Sequence, residues 1–418
     1  MYRGRSGSAI KSHNRSLLLR LLLLREPLSR VELASITGLT IPTVHGLTKE
    51  LMKEDIVCEL GTTSPQGRGA GRKASLLGLK PKSKFSIGID LGVRTTRVGL
   101  LDIKGAVVNK IEIVHAQDGP TVDESLDKVF EAAEKMIAEL SFKSDDIVGI
   151  GVGVPGLVNV SRGFVHRTPN LGWERVPIRS LIEKRLRLPV VVDNNIRAMA
   201  CGERMFGQGR EEANLISFFV GPGVGAGILI NDRIFRGAKD GAGEVGHTLI
   251  DPSGPICRCG RRGCLEAVAS NTAVLRRVRK IAEEGLDEDL RVRIHRKTND
   301  LDIEDVISWS EQGNMYCRQI LKETGRLLGE GVANLINLFN PELIIVGGQL
   351  FESGDLVFAE LVETARQKAF SIPDESATIL KTEFGKNQGV VGAGALALKE
   401  FFYSADAPES AYVSAVVK

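Results

Sequence analysis

The sequence predicts an α/β body behind a small basic helical head, two or three domains in all, and three observations lead there. At 418 residues, with 43% hydrophobic and 26% charged residues, the chain exceeds one ordinary domain and can bury real cores. From Phe85 onward, glycine-punctuated apolar runs alternate with amphipathic stretches, the texture of strands alternating with helices. The charge is uneven. Residues 1–82 carry 14 Lys+Arg against 6 Asp+Glu, a net of +8, so the rest of this +3 chain carries −5 (+3 less +8). A basic head on a mildly acidic body implies an anionic partner for the head alone.

The first element is an apolar run, Leu17 to Leu24, behind Lys11 and Arg15. It imitates a signal peptide, but Arg20 interrupts it, Arg25-Glu26-Pro27 ends it and no small-residue cleavage site follows. It is too short to span a bilayer. It reads as the first helix of a domain, with no membrane partner and a cytoplasmic location expected.

Two more helices follow. Ser29 with Glu32 three residues on forms a capping box opening a helix to about Ile36. Gly38 supplies the turn, Thr40 caps the next helix and Pro42 sits in its first turn. Val44, Leu47 and Leu51 give residues 41–53 one core face. This is a helix-turn-helix with 41–53 as recognition helix, placing Thr43, His45, Gly46 and Lys49 on or beside its DNA-facing side. Ile56–Leu60 and Ala74–Leu79 read as strands around the loop GTTSPQGRGAGRK. A hairpin there makes a wing that offers Arg68, Arg72 and Lys73 to phosphates or a narrow minor groove. A helical protein-interaction domain would share the helices, but neither the wing nor the charge excess.

In the body, FSIGIDLGVRTTRVGLLDIKG reads as strand, turn, strand, and DIVGIGVGVPGLV as a buried strand ending at Pro155-Gly156. A helix fits between them, from Val122 to Leu140. Three of the six cysteines crowd into CRCGRRGC, spacing that points to metal rather than to a disulfide scaffold. With His247 ten residues before Cys257, the thiols of Cys257, Cys259 and Cys264 complete a four-ligand structural zinc set. Gly260 and Gly263 would let that loop turn tightly.

The segments GPGVGAGI (221–228), GAGEVGH (241–247) and CRCGRRGCLE (257–266) together resemble the ROK family of sugar kinases and their repressor relatives. The resemblance covers about Phe85 to Phe401, and with the head it extends over nearly the whole chain, as in xylose-repressor-type members. It implies a winged helix-turn-helix (1–82) followed by two actin-like α/β lobes of the sugar kinase type. The first lobe would hold 83–195 and the last helix, about 389–402; the second would hold 196–388. It also implies that Asn170, Asn194, Glu244, His247 and Glu266 hydrogen-bond a sugar's hydroxyls, for which carboxylates are strong acceptors. Zinc on one nitrogen of His247 would orient the ring and leave the other for the sugar.

Two segments depart from the family's kinases. Where they show Asp-x-Gly-Gly-Thr at the first strand turn, this chain has Asp90-Leu91-Gly92-Val93-Arg94, and a branched Val93 crowds a turn that must approach phosphate. In VDNNIRA (192–198), the spacing to Ala198 and Gly202-Glu203 aligns Asn195 with the kinase's catalytic Asp. A carboxamide cannot accept the sugar hydroxyl's proton near neutral pH, though Asn195 can still hydrogen-bond a sugar. A shift by one residue would put Asp193 in that role and break the spacing.

The resemblance therefore implies a sugar-responsive transcription regulator, a repressor of carbohydrate-utilisation genes, without kinase activity. Its expected partners are operator DNA, a sugar effector and further copies of itself, as homodimer or higher oligomer. The alternatives are an ATP-dependent sugar kinase that also carries a DNA-binding head, and a constitutive DNA binder whose body only dimerises.

Overall fold

The structure, a computed structural model, describes residues 7–62, 74–115, 121–139, 146–168, 171–297, 300–370 and 377–404. The head follows its punctuation closely. Ser29 Oγ accepts from the Glu32 N–H and the Glu32 carboxylate accepts from the Ser29 N–H, opening the helix Arg30–Thr37. That bonding holds the Glu32 carboxyl below its ordinary range. Gly38, at φ +70°, closes this helix, and Thr40 caps Ile41–Lys53 through the Thr43 N–H. Val44, Leu47 and Leu51 are buried, joined by Thr48, whose hydroxyl donates to the Val44 carbonyl and accepts from Arg30 Nε. Strands Val57–Thr62 and Ser75–Leu79 pair antiparallel, and Leu28–Ser29 adds a short third strand. The hairpin's loop, with Arg68, Arg72 and Lys73, lies outside the described residues.

The chain divides into two compact units. The first comprises 1–198, 231–233 and 389–418, so the head is grouped with the first α/β layer and the C-terminal segment. Its five-stranded sheet has the spatial order Val190–Asn194, Ile147–Val154, Phe85–Asp90, Thr95–Asp102, Val107–Val114. The first three strands run parallel and the last two are antiparallel additions. Helix Val122–Glu139 lays Leu126, Val129, Ala133 and Met136 on the core built by Ile87, Ile89, Ile150 and Val152. The C-terminal helix, Gln388–Phe401, lies so near the sheet that a Cβ on Gly151 would stand 1.8 Å from the Ala393 carbonyl oxygen. Only a residue without a side chain fits there.

The second unit comprises 199–230 and 234–388. Its sheet has the order Arg233–Ile234, Val224–Ile230, Leu215–Val220, Leu343–Gly347, Thr378–Lys381. The long helix Met315–Phe339 buries Leu328, Val332 and Leu335 in a core shared with Phe218, Ile344 and Val346. Among the described residues, no helix is long and apolar enough to cross a membrane.

Candidate functional site

The second unit gathers the metal-ligating residues. One ligand atom each from His247, Cys257, Cys259 and Cys264 lie within 4.8 Å of one another. Cys257 Sγ stands 3.7 Å from His247 Nδ1, and Cys259 Sγ stands 3.6 Å from Cys264 Sγ. A tetrahedral ion with bonds of about 2.1–2.3 Å sets its ligand atoms about 3.5–3.8 Å apart. Those two pairs match that spacing, and the four donors together could hold one metal ion. Without a cation the thiols respond to their surroundings in opposite directions. The Arg261 backbone N–H draws exposed Cys259 down to about 6, while burial raises Cys257 and pushes Cys264 up to about 12. A divalent ion removes that conflict by favouring all three thiolates.

Local backbone explains why the loop converges. Gly263 has φ +71°, and a Cβ there would stand 1.6 Å from the Asp251 carbonyl oxygen, which fixes glycine beside Cys264. Gly260 shares the left-handed conformation but faces open space, so it needs glycine for its φ of +86° alone. At Gly243, φ is +93° and a Cβ would meet the Ala226 carbonyl oxygen at 1.9 Å. That contact seats the segment carrying Glu244 and His247 on strand Val224–Ile230, where the Ala226 N–H donates to the Gly243 carbonyl.

The acids around the metal set differ. Glu244 is exposed, and its Oε2 lies 4.0 Å from His247 Nε2, the ring nitrogen turned away from Cys257. One nitrogen of His247 thus faces the thiols and the other turns toward a carboxylate, beyond direct hydrogen-bond distance. Glu266 is more committed. Its Oε2 accepts from the Val224 N–H at 3.2 Å, and its Oε1 lies 3.9 Å from Cys257 Sγ. It ties strand, helix Leu265–Ala269 and metal loop together, with lone pairs left for a ligand.

The first unit holds the other expected ligands that the structure describes; Asn170 lies outside the described residues. Asn194 is the last residue of its strand and caps the helix Asn195–Phe206. Its Oδ1 accepts from the Ile196 and Arg197 N–H groups, and its Nδ2 donates to the Gly156 carbonyl. One amide hydrogen remains for a sugar. Asn195, partly exposed, opens the helix with its Cα against Gly153. Asp193 has no exposed surface and forms a 2.6 Å ion pair with Arg197 Nε. That carboxylate is therefore engaged by the helix it precedes. Sequence reasoning missed this pair, although the i,i+4 spacing of acid and arginine was there to find.

At the turn after Phe85–Asp90, a Cβ on Gly92 would meet the Thr95 carbonyl oxygen at 2.3 Å, while Val93 packs partly buried against the core and Arg94 is exposed. Burial pushes the Asp90 carboxyl up to about 6, opposed by Arg97 at 3.9 Å. On the head, His45, Gly46 and Lys49 are exposed on the helix Ile41–Lys53, and Thr43 is half-buried beside the cap with its hydroxyl 2.9 Å from that of Thr40.

A cavity of about 390 Å³ in the second unit is lined by Gly348, Lys381, Thr382 and Lys386 among others. Both lysines already face acids: Lys381 pairs with Asp355, Lys386 with Glu304.

Known proteins resemble this chain over most of its length. A xylose repressor from Caldicellulosiruptor bescii is 36% identical over 361 residues, covering 86% of this chain and 89% of that one. The crystal structure of a ROK family transcriptional regulator, a homologue of the Escherichia coli MLC protein, superposes with a TM-score of 0.78 at 27% identity, covering 98% of this chain and 99% of that one. A ROK family glucokinase from Streptomyces griseus, in complex with glucose and AMPPNP, superposes with a TM-score of 0.67 at 29% identity, covering 99% of itself but 75% of this chain. The family model named ROK matches residues 86–400, and the chain belongs to the ROK family.

Proposed function

We propose that this protein is a sugar-responsive repressor of transcription that binds operator DNA through its head and a sugar through its body. The observation that carries the reading is the winged helix-turn-helix joined to a ROK body: the regulator structure matches 98% of the chain, the glucokinase only the body's share of it. In this reading the chain has three functional parts, a head of 1–82, a first lobe of 83–195 completed by 389–402, and a second lobe of 196–388. His247, Cys257, Cys259 and Cys264 hold one structural zinc. Asn170, Asn194, Asn195, Glu244, His247 and Glu266 bind the sugar, and Thr43, His45, Gly46, Lys49, Arg68, Arg72 and Lys73 meet DNA. The protein works in the cytoplasm as a homodimer or higher oligomer on paired half-sites.

The same reading makes the protein no kinase. Asn195 stands where the kinases' general base is expected, Asp193 is engaged by Arg197, and the turn that would receive phosphate carries Val93, packed against the core, in place of a glycine.

The test is DNA affinity with and without sugar. A duplex selected by the protein from a random library is titrated by fluorescence anisotropy at fixed salt. D-xylose, D-glucose and N-acetyl-D-glucosamine are added in turn, since relatives are named xylose repressor, glucokinase and N-acetylglucosamine repressor. At least one should weaken binding roughly 5- to 150-fold, the span of 1–3 kcal/mol of coupling. ATP-dependent sugar phosphorylation by the unaltered protein would assign it to the kinases instead.

A further inference from the structure

The first helix of the head, Gly7–Arg25, is apolar around much of its circumference, with Leu18, Leu19, Leu21 and Leu22 all buried. Ser16 and Arg20 lie one turn apart on the face opposite Leu18 and Leu22. A helix buried on both sides has two neighbours, and the second lies at the end of the chain. Ser16 Oγ donates to the Ser404 carbonyl at 2.7 Å, and Arg20 Nε donates to the Tyr403 carbonyl at 3.0 Å. These carbonyls follow directly on the C-terminal helix, where acceptors lack helical partners and a cation meets the negative end of the macrodipole.

Tyr403 is itself 1% exposed, and its hydroxyl donates to the Ile103 carbonyl at 2.6 Å. Next to Ile103, Lys104 pairs with Glu26, whose other oxygen accepts from the Leu79 N–H in the wing sheet. The head is thus held at two points on one corner of the first unit. At the other end of the C-terminal helix, a Cβ on Gly389 would stand 2.1 Å from Asp90 Oδ2, and Gln388 donates to Glu203 in the helix that Asn195 opens. A helix of 14 residues, about 21 Å long, therefore starts beside the family's phosphate turn and ends on the head.

We propose that the C-terminal helix and the Tyr403-Ser404 clasp hold the head in a set position and carry the sugar's effect from the body to the DNA-binding surface. The proposal rests on the reading of the chain as a sugar-responsive repressor. A coupling route needs a physically continuous element, and here it is one rod packed on glycine along the sheet and hydrogen-bonded at both ends. Ser16 and Arg20 are positioning residues; neither belongs to the recognition helix.

The experiment uses the full chain carrying Ser16→Ala with Arg20→Ala, beside the unaltered protein. Amide hydrogen exchange reads the clasp, and DNA affinity with and without D-xylose, D-glucose and N-acetyl-D-glucosamine reads the transmission. In the double variant, exchange in residues 7–25 should rise about tenfold while residues 388–401 keep their protection. DNA should still bind within about threefold, and the sugar's effect should fall below about twofold. Lys104→Ala, a change wholly on the body side, gives the same readout in smaller measure if the double variant folds poorly. Unchanged protection in 7–25 overturns the clasp, and an intact sugar effect in the double variant overturns the transmission. A lack of any sugar effect in the unaltered protein overturns the functional reading and the transmission with it, while exchange still decides the clasp.

Discussion

The loop 243–266 of the second unit and the strand ends at 90–94 and 193–197 of the first make an instructive pair. In the former, glycines bring the backbone into tight apposition and leave His247 and Glu244 partly exposed, with donors and acceptors facing outward. In the latter, the polar groups are occupied by the fold. Asp193 is paired to Arg197, Asn194 caps a helix, Val93 joins the core and Asp90 is buried. The contrast teaches that one scaffold can leave polar groups open at one place and spend them on its own hydrogen bonds and packing at another.

The largest expected effect breaks the first member of the pair. Cys259→Ser removes one of four metal donors, so zinc measured by elemental analysis should drop from about one per chain to under about 0.1, with a lower thermal midpoint. In the proposed reading His247 serves both metal and sugar, so the sugar-induced thermal shift should also shrink. A zinc-free but fully sugar-responsive Cys259→Ser protein would dissolve the link between the two roles.

The next prediction tries to reverse the second member. Asn195→Asp restores a carboxylate, yet a coupled assay of ATP consumption should find it still roughly 10²-fold or more below a working kinase, because Val93 and Arg94 remain at the turn. Strong turnover by this single variant would show that the turn matters less than the base.

A smaller effect concerns Asp90. Its folded pKa of about 6 lies above the ordinary 3.8, so the fold favours the protonated form. The stability this contributes is complete below about pH 4 and is lost as pH rises to about 6. Asp90→Asn removes that slope, and at pH 7 the variant should be more stable by about 1–3 kcal/mol in urea unfolding. An unaltered protein with flat stability from pH 4 to 7 would contradict the burial argument.

The smallest lies on the head. Lys49→Ala should weaken DNA binding about uniformly across sequences and reduce the slope of log affinity against log salt by about 0.9. An unchanged slope would move the phosphate contact elsewhere on the recognition helix.

Local chemistry made much of this legible. Ser29, Glu32, Gly38 and Thr40 announced two helices because capping is a matter of neighbours within four residues, and the structure ends those helices within a residue or so of where they were read. The Cys257–Cys264 spacing announced a metal loop for the same reason. By contrast, the role of Asn194 as a cap was hidden, since the helix it opens follows a strand without a loop.

By itself the sequence determined the helices of the head, the alternation of strands and helices and the His/Cys cluster that could hold a metal, because each rests on residue identity and short spacing. Only the tertiary structure decided that Asp193 and Arg197 are buried together, that Glu266 anchors a strand, and that Tyr403, near one end of the chain, clasps a helix near the other. These depend on burial and on contacts between residues 4, 42 and 383 positions apart. Whether a carboxylate is a ligand, an anchor or half of an ion pair is settled by what surrounds it, and sequence order does not carry that.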